Sequence, residues 1–100
     1  MKEEVFNQYV QKITKLFGIT KNELFLKSRK RNIVDARQLL YYLCFNRQMQ
    51  IVIIKDFMSH NGYKIDNPSV VNGIHKVDQK IKEDRDYKTV VRDIDESVYL

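Results

Sequence analysis

The stretch from Ile33 to Cys44 constrains the fold more than any other part of the sequence. Its apolar residues recur at steps of one, three and four positions, which is the spacing of one buried face of an α-helix. They are Ile33, Ala36, Leu39, Leu40, Leu43 and Cys44. We therefore predict a central helix here, with Asn32 as its N-cap and Asp35 in its first turn. A carboxylate in the first turn interacts favourably with the positive end of the helix dipole.

The chain before this helix shows a second helical pattern. Apolar residues from Val5 to Phe17 share one face, and Gly18 stands where a left-handed C-cap belongs. Thr20 and Glu23 have the spacing of a capping box, which predicts a short helix over 23–27. The sequence KSRKR at 27–31 follows and is predicted to be a basic loop.

The second half of the chain indicates three more helices. Residues 51–58 begin with four β-branched residues and favour a strand by propensity, but they lie between helical patterns without a strand partner, so we predict a short helix. A turn over 59–64 leads to Asn67 as N-cap and Pro68 at the first helical position. The predicted helix runs to about Lys82. Its buried face comprises Val70, Val71, Ile74, Val77 and Ile81.

A charged break over 83–86 is predicted to separate this helix from a last one. The apolar face of the last helix comprises Tyr87, Val90, Val91, Ile94 and Val98. A chain of 100 residues suits one domain. The predicted fold is therefore an all-α small helical bundle forming a single domain over 1–100, without repeats or linkers.

The composition excludes several kinds of site. One cysteine and two histidines cannot form a disulfide or a four-ligand zinc site, so we expect no metal or cofactor and a reducing, cytoplasmic location. The apolar run from Leu39 to Phe45 is too short to span a membrane. No phosphate-binding glycine loop or catalytic triad pattern is present, so an enzyme is not expected. Cys44 is interpreted as a core residue, and His60 and His75 as solvated side chains.

Positive charge is concentrated in the middle of the chain. The net charge is +5, and the sequence KSRKR contributes Lys27, Arg29, Lys30 and Arg31 without an acid among them. Such a cluster suits phosphate neutralisation and insertion of an arginine into a minor groove. The alternative is a solvated loop without a partner.

The helix beginning near Asn67 supplies a second feature typical of DNA binding. With the helix over 51–58 and the turn between them, it forms a helix-turn-helix pattern that leaves Asn67, Ser69, Asn72 and Lys76 exposed. Asparagine can pair with an adenine edge, and serine and lysine can reach bases or phosphates. We expect capping to dominate at Asn67 and base contacts to fall mainly on Ser69 and Asn72.

Three segments resemble, in order, parts of the C-terminal DNA-binding domain of the bacterial replication initiator DnaA. They are FGITKNEL at 17–24, KSRKRNIVDARQ at 27–38 and DNPSVVNGIHKV at 66–77, and the similarity extends over roughly 5–94. The resemblance implies a Trp-repressor-like helix-turn-helix whose second helix reads the major groove. It further implies that Arg31 is the minor-groove arginine and Arg37 a backbone-contacting one. Asp66, Asn67, Pro68 and Ser69 occupy the family's base-reading signature.

The departures from that family define a second hypothesis. Ile65, Asn67 and Pro68 replace the signature's arginine, histidine and first threonine, Asp35 adds an acid beside the loop, and Gly73 replaces a small alanine and predicts close helix packing. We expect no counterpart of the initiator's ATPase module in this protein. We thus expect a replication-related accessory or regulatory protein of a bacterium or phage, binding double-stranded DNA at the nucleoid. The alternative is a protein-interaction or structural module, such as a subunit of a replication complex or phage particle.

Overall fold

The computed structural model describes residues 1–99, and six α-helices account for most of them. The helices are α1 (Lys2–Phe17), α2 (Lys21–Leu24), α3 (Arg31–Asn46), α4 (Ile51–His60), α5 (Asn67–Glu83) and α6 (Arg85–Glu96). No strand occurs among these residues, so the predicted all-α bundle is confirmed. In this described part of the chain, no helix combines the length and apolar character needed to cross a membrane.

The predicted central helix is confirmed as α3, which packs most extensively against α5 and α1. Leu39, Leu40 and Leu43 have no solvent exposure, and they meet Tyr9 of α1 and Val77 of α5 in one continuous core. Complete burial of each leucine side chain contributes about 1.5 to 3 kcal/mol to stability. The α3 helix is thus the axis on which the surface elements are mounted.

The predicted signals between α1 and α3 are confirmed, but the predicted length of α2 is wrong. Gly18 takes φ 64° as a left-handed C-cap, and Thr20 and Glu23 form both hydrogen bonds of the capping box. The helix nevertheless ends at Leu24 rather than at residue 27. The carbonyls of Leu24, Leu26 and Ser28 accept hydrogen bonds from Arg37 of α3, which keeps residues 25–30 in a loop.

The predicted start of α3 is also wrong. Lys30 is the N-cap, because its carbonyl accepts from the N–H groups of Ile33 and Val34. The side chain of Lys30 forms no capping hydrogen bond. Arg31 therefore begins the helix rather than ending the loop, and Asn32 lies inside it. Asp35 falls beyond the first turn.

The β-branched segment is helical, as predicted, and forms α4. Ile54 and Met58 are fully buried against the neighbouring helices, and burial of this face outweighs the strand propensity of the segment. The helix extends through His60, so the predicted turn begins later, at Asn61.

The α5 helix packs closely on α3, as Gly73 predicted. A Cβ atom at Gly73 would lie 3.0 Å from Cδ2 of Tyr41, closer than a packed side chain normally approaches. The predicted break before α6 reduces to Asp84, whose carboxylate accepts from the N–H groups of Asp86 and Tyr87 and starts the helix at Arg85. Val98 is buried beyond the end of α6, whereas Val90 is exposed rather than part of its apolar face.

Candidate nucleic-acid interface

The outward face of α5 carries the polar residues that the sequence predicted to be exposed. They are Asn67, Ser69, Asn72 and Lys76, and all four are solvent-exposed. The opposite face is anchored by Val70, Gly73 and Val77, which are buried. The helix therefore has a packed side and a free side, and the free side is available to a partner.

The N-terminus of α5 is capped by Asp66 and not by Asn67, so the predicted capping role of Asn67 is wrong. The carboxylate of Asp66 accepts from the N–H of Ser69 at 2.9 Å, and Asp66 has the extended backbone of an N-cap. Hydrogen bonds from Ser69 hold the pKa of Asp66 below its usual value. Asn67 is the first helical residue and Pro68 the second, which leaves the exposed Asn67 amide free to contact a ligand.

Arg37 is buried, with 5% of its surface exposed, and it supports the loop from beneath. Its Nε donates to the Leu24 carbonyl at 2.9 Å, and its Nη2 donates to the carbonyls of Leu26 at 2.7 Å and Ser28 at 2.9 Å. Its Nη1 donates to the Tyr63 hydroxyl at 3.1 Å, and the guanidinium carbon lies 4.4 Å from the centre of the Tyr63 ring. Arg37 thus joins the loop to the segment that precedes α5.

A groove of about 430 Å³ lies where these two segments meet. It brings together Lys27 and Arg29 of the loop with Asp66 and Ser69 at the start of α5. The remaining lining residues are Ser28, Tyr63, Lys64 and Ile65. Three cations and one carboxylate give the groove a net positive charge, and its open, polar character suits a charged ligand rather than a buried apolar one.

The other predicted cations lie on the surface outside the groove. Lys30 and Arg31 are exposed where the loop passes into α3, and Lys76 is exposed on α5. The acid predicted to repel phosphates beside this loop, Asp35, is instead paired with Lys80, with Nζ and Oδ1 3.3 Å apart. That ion pair links α3 to α5 and compensates the negative charge of Asp35.

The described residues offer few groups for catalysis. Cys44 is fully buried, and burial raises the pKa of its thiol above the usual range, so the thiolate needed for nucleophilic attack is disfavoured. No cluster of three histidine, cysteine, aspartate or glutamate side chains that could hold a metal ion occurs within residues 1–99. His60 and His75 are both exposed.

Sequence reasoning missed three residues at this surface. Tyr63, which contacts Arg37, was assigned only to a turn, and Lys64 beside it lines the groove. Val71 was predicted to be buried but is 39% exposed on the free side of α5. A signal for Val71 was present, because it follows Val70 by one residue and so points about 100° away from the packed face.

The chain matches no family model. It is similar to chromosomal replication initiator proteins DnaA from three bacteria. Identity is 30% over 101 residues to that of Flavobacterium psychrophilum, covering 100% of this chain and 20% of the relative. Identity to the protein of Nautilia profundicola is 29% over 93 residues, covering 91% of this chain and 20% of the relative. Identity to the protein of Lachnoclostridium phytofermentans is 27% over 82 residues, covering 82% of this chain and 17% of the relative. The chain spans about a fifth of the length of these curated relatives. The predicted resemblance to the DnaA DNA-binding domain is thereby confirmed.

Proposed function

From this similarity to the C-terminal region of DnaA, we propose that the chain is a DnaA domain IV-like domain that binds double-stranded DNA in a replication-related role. In this proposal α4 and α5 act as a helix-turn-helix, with α5 entering the major groove and the loop at 25–30 lying over the adjacent backbone. The observation that carries the proposal is the groove in which loop cations and the start of α5 share one surface.

The proposed roles follow from exposure. Lys27, Arg29, Lys30 and Lys76 neutralise phosphates, which fixes the position of the protein on the duplex. Arg31, exposed at the start of α3, is assigned to the minor groove by resemblance to the family. These contacts supply affinity for any duplex.

Base reading is assigned to the exposed amides and hydroxyl of α5. Asn67, Ser69 and Asn72 can each reach a base edge, and asparagine can make two hydrogen bonds with adenine. Asp66 caps the helix and thereby fixes its first turn. Arg37 acts on DNA indirectly, by holding the loop, because its guanidinium is buried and bonded to the protein.

A titration of labelled duplex at several salt concentrations tests this function. If about five phosphates are neutralised, log K should fall with log salt at a slope of about −4 to −5. Replacing Arg29, Lys30 and Arg31 together by alanine should weaken binding to all sequences by similar factors while the helical circular dichroism signal stays unchanged. The matched control is Lys2→Ala with Lys12→Ala on α1, both exposed, which should leave binding close to wild type.

The second candidate function is a protein-interaction module in replication or phage assembly. It is favoured by Ile65 and Pro68, which stand where the resemblance places an arginine and a threonine of the base-reading signature. The same titration distinguishes the two, because a module that has lost DNA binding shows no binding at low salt and no dependence on salt.

A further inference from the structure

Tyr63 lines the groove between the loop and the start of α5, and its side chain is half-buried. Two neighbouring helices hold it. Its backbone N–H donates to the Met58 carbonyl of α4 at 3.0 Å, and its hydroxyl oxygen accepts from Nη1 of Arg37 of α3 at 3.1 Å. The guanidinium carbon of Arg37 also lies over the Tyr63 ring, 4.4 Å from its centre. The position of Tyr63 in the groove is therefore fixed without a ligand.

The hydroxyl of Tyr63 retains a hydrogen-bond donor. A guanidinium has donors only, so the bond from Arg37 occupies a lone pair of the Tyr63 oxygen and leaves the O–H proton available. Within residues 1–99 this hydroxyl forms no other hydrogen bond. Because the adjacent cation polarises the hydroxyl, its O–H becomes a stronger donor. An anionic acceptor gains most from such a donor.

The other groups that line the groove indicate an anion as its ligand. Three of them are cations, and the one carboxylate already serves as the N-cap of α5. The guanidinium of Arg37 is buried, so it cannot itself reach a ligand at the surface. Tyr63 lies between this buried charge and the groove. A phosphate, with a negative charge and acceptor oxygens, fits both the cations and the free O–H.

We propose that the Tyr63 hydroxyl donates a hydrogen bond to a phosphate of the DNA backbone, and that Arg37 strengthens this bond by polarising the hydroxyl. This inference rests on the proposed function, since it requires the groove to lie against the duplex. It adds a neutral residue to the cations assigned to phosphates, and tyrosine hydroxyls are among the groups that bind them. The contact supplies affinity without base preference.

The test compares the duplex affinity of wild type and Tyr63→Phe at several salt concentrations. The phenylalanine ring keeps the contact with the guanidinium, so only the hydroxyl is lost. Affinity should fall about tenfold on every duplex sequence, because a hydrogen bond to a charged group is stronger than a neutral one. The slope of log K against log salt should stay at the wild-type value, because a neutral group displaces no counterion.

Two further variants calibrate this result. Arg29→Ala removes a cation that lines the same groove, so it should lower the affinity and also make the salt slope shallower by about 0.9. Tyr42→Phe is the matched control, because Tyr42 is also half-buried but lines a separate cavity beside α6. It should bind as wild type does. Circular dichroism and urea unfolding establish that each variant is folded under the binding conditions.

The role of Arg37 is tested by a double-mutant cycle. In a protein that carries Arg37→Met, the hydroxyl has lost the neighbouring cation, so adding Tyr63→Phe should weaken binding by clearly less than tenfold. An equal factor in both backgrounds would mean that the hydroxyl acts without Arg37, and it would overturn that half of the proposal.

The remaining outcomes are also distinct. Wild-type affinity in Tyr63→Phe overturns the phosphate contact but leaves DNA binding intact. A loss accompanied by a shallower salt slope shows that Tyr63 only positions the loop cations, and a loss confined to particular sequences shows that it only positions α5. Both results overturn the contact. Failure of the wild type to bind any duplex at low salt overturns the proposed function and this inference with it.

Discussion

Arg37 lies in the N-terminal half of α3 and Arg47 is its C-cap, and each holds a non-helical segment against the bundle. Arg37 is buried and donates to the carbonyl of Leu24 at the end of α2, to two loop carbonyls and to a tyrosine hydroxyl. Arg47 is partly exposed and donates to the carbonyls of Asp95 and Val98, both at 2.9 Å, with its Nε 3.5 Å from the Asp95 carboxylate. Two side chains of the same type thus hold different segments: Arg37 holds the basic loop, and Arg47 holds the C-terminal turn.

The difference lies in how the positive charge is balanced. Arg47 has a carboxylate partner, whereas Arg37 forms no ion pair with any carboxylate of residues 1–99. A buried cation that bonds only neutral groups leaves its charge uncompensated within the protein. At the Arg37 end that charge adds to the field of the loop cations, so the residue that orders the loop also makes it more attractive to phosphates.

The largest expected effect is that of Arg37→Met. It removes a guanidinium that serves four acceptors, and stability should fall by about 3 kcal/mol, since hydrogen bonds to a charged donor contribute about 1.5 to 3 kcal/mol each and some carbonyls regain water. Urea unfolding measures the loss. DNA affinity should fall as well under native conditions. A loss below about 1 kcal/mol would mean that the loop keeps its conformation without Arg37, and that Arg37 contributes no more to stability than Arg47.

The matched change at the other end, Arg47→Met, should cost less. Two carbonyl bonds and a partly exposed ion pair predict a loss of about 1 to 2 kcal/mol. Duplex binding should stay close to wild type, because the C-terminal turn carries none of the proposed contacts. Salt titrations of both variants compare the two ends directly, and an equal fall in DNA affinity would remove the distinction between them.

The change that Tyr9→Phe makes in alkaline unfolding probes the Arg47 end, because the other tyrosines with raised pKa values, Tyr41 and Tyr87, are present in both proteins. Tyr9 packs beneath Arg47 and donates to the Asp95 carboxylate, and its burial together with that hydrogen bond raises its pKa above the usual value of 10.0. Above pH 10 the unfolded chain therefore loses a proton that the folded chain keeps, and stability falls by about 1.4 kcal/mol per pH unit for that proton.

Tyr9→Phe should reduce the fall of stability with pH by about 1.4 kcal/mol per pH unit, which corresponds to one proton. The remaining slope includes Tyr87, because burial raises its pKa to about 12. Stability measured by urea unfolding at pH values from 9 to about 11 gives the slope for each protein. An unchanged slope in Tyr9→Phe would place the lost proton elsewhere.

The smallest expected effect is the difference in stability between alanine variants of Asp66 and Asn67, at the start of α5. Asp66→Ala removes the capping carboxylate and should lower stability, whereas Asn67→Ala should cost little stability. The proposed base contact reverses the order for DNA, because Asn67→Ala should lose about 1 to 3 kcal/mol of discrimination at one base pair. Thermal unfolding and competition between duplexes measure the two quantities. A destabilised Asn67→Ala would restore its predicted capping role.

Much of the bundle follows from periodicity and from local signals. The stripe of α3, the C-cap at Gly18 and the capping box at Thr20 depend on neighbours a few residues apart, so the sequence contains all their partners. The α4 helix was predictable only from context, since its propensity alone favours a strand. The predicted N-cap of α5 was wrong because two residues with capping side chains, Asp66 and Asn67, are adjacent. Only the position of the Ser69 N–H decides which of them caps the helix.

The supporting role of Arg37 could not be derived from local pattern, because its acceptors lie 9 to 26 residues away along the chain. One signal was nevertheless present. Arg37 lies one turn after Ile33 and three residues before Leu40, so it occupies a position of the apolar stripe. A cation at such a position predicts a buried charge with partners from another segment, although it does not identify them.

The two-sided arrangement of α5 also bears on how proteins with this bundle can diverge. Val70, Gly73 and Val77 fix the helix against the core, whereas substitutions at Asn67, Asn72 or other exposed positions disturb no packing contact. Exposed substitutions usually change stability by less than about 0.5 kcal/mol. Under the proposed function, base preference can therefore drift by single mutations, each starting from a folded protein. Descendants of one ancestor can come to bind different sites while keeping the same scaffold.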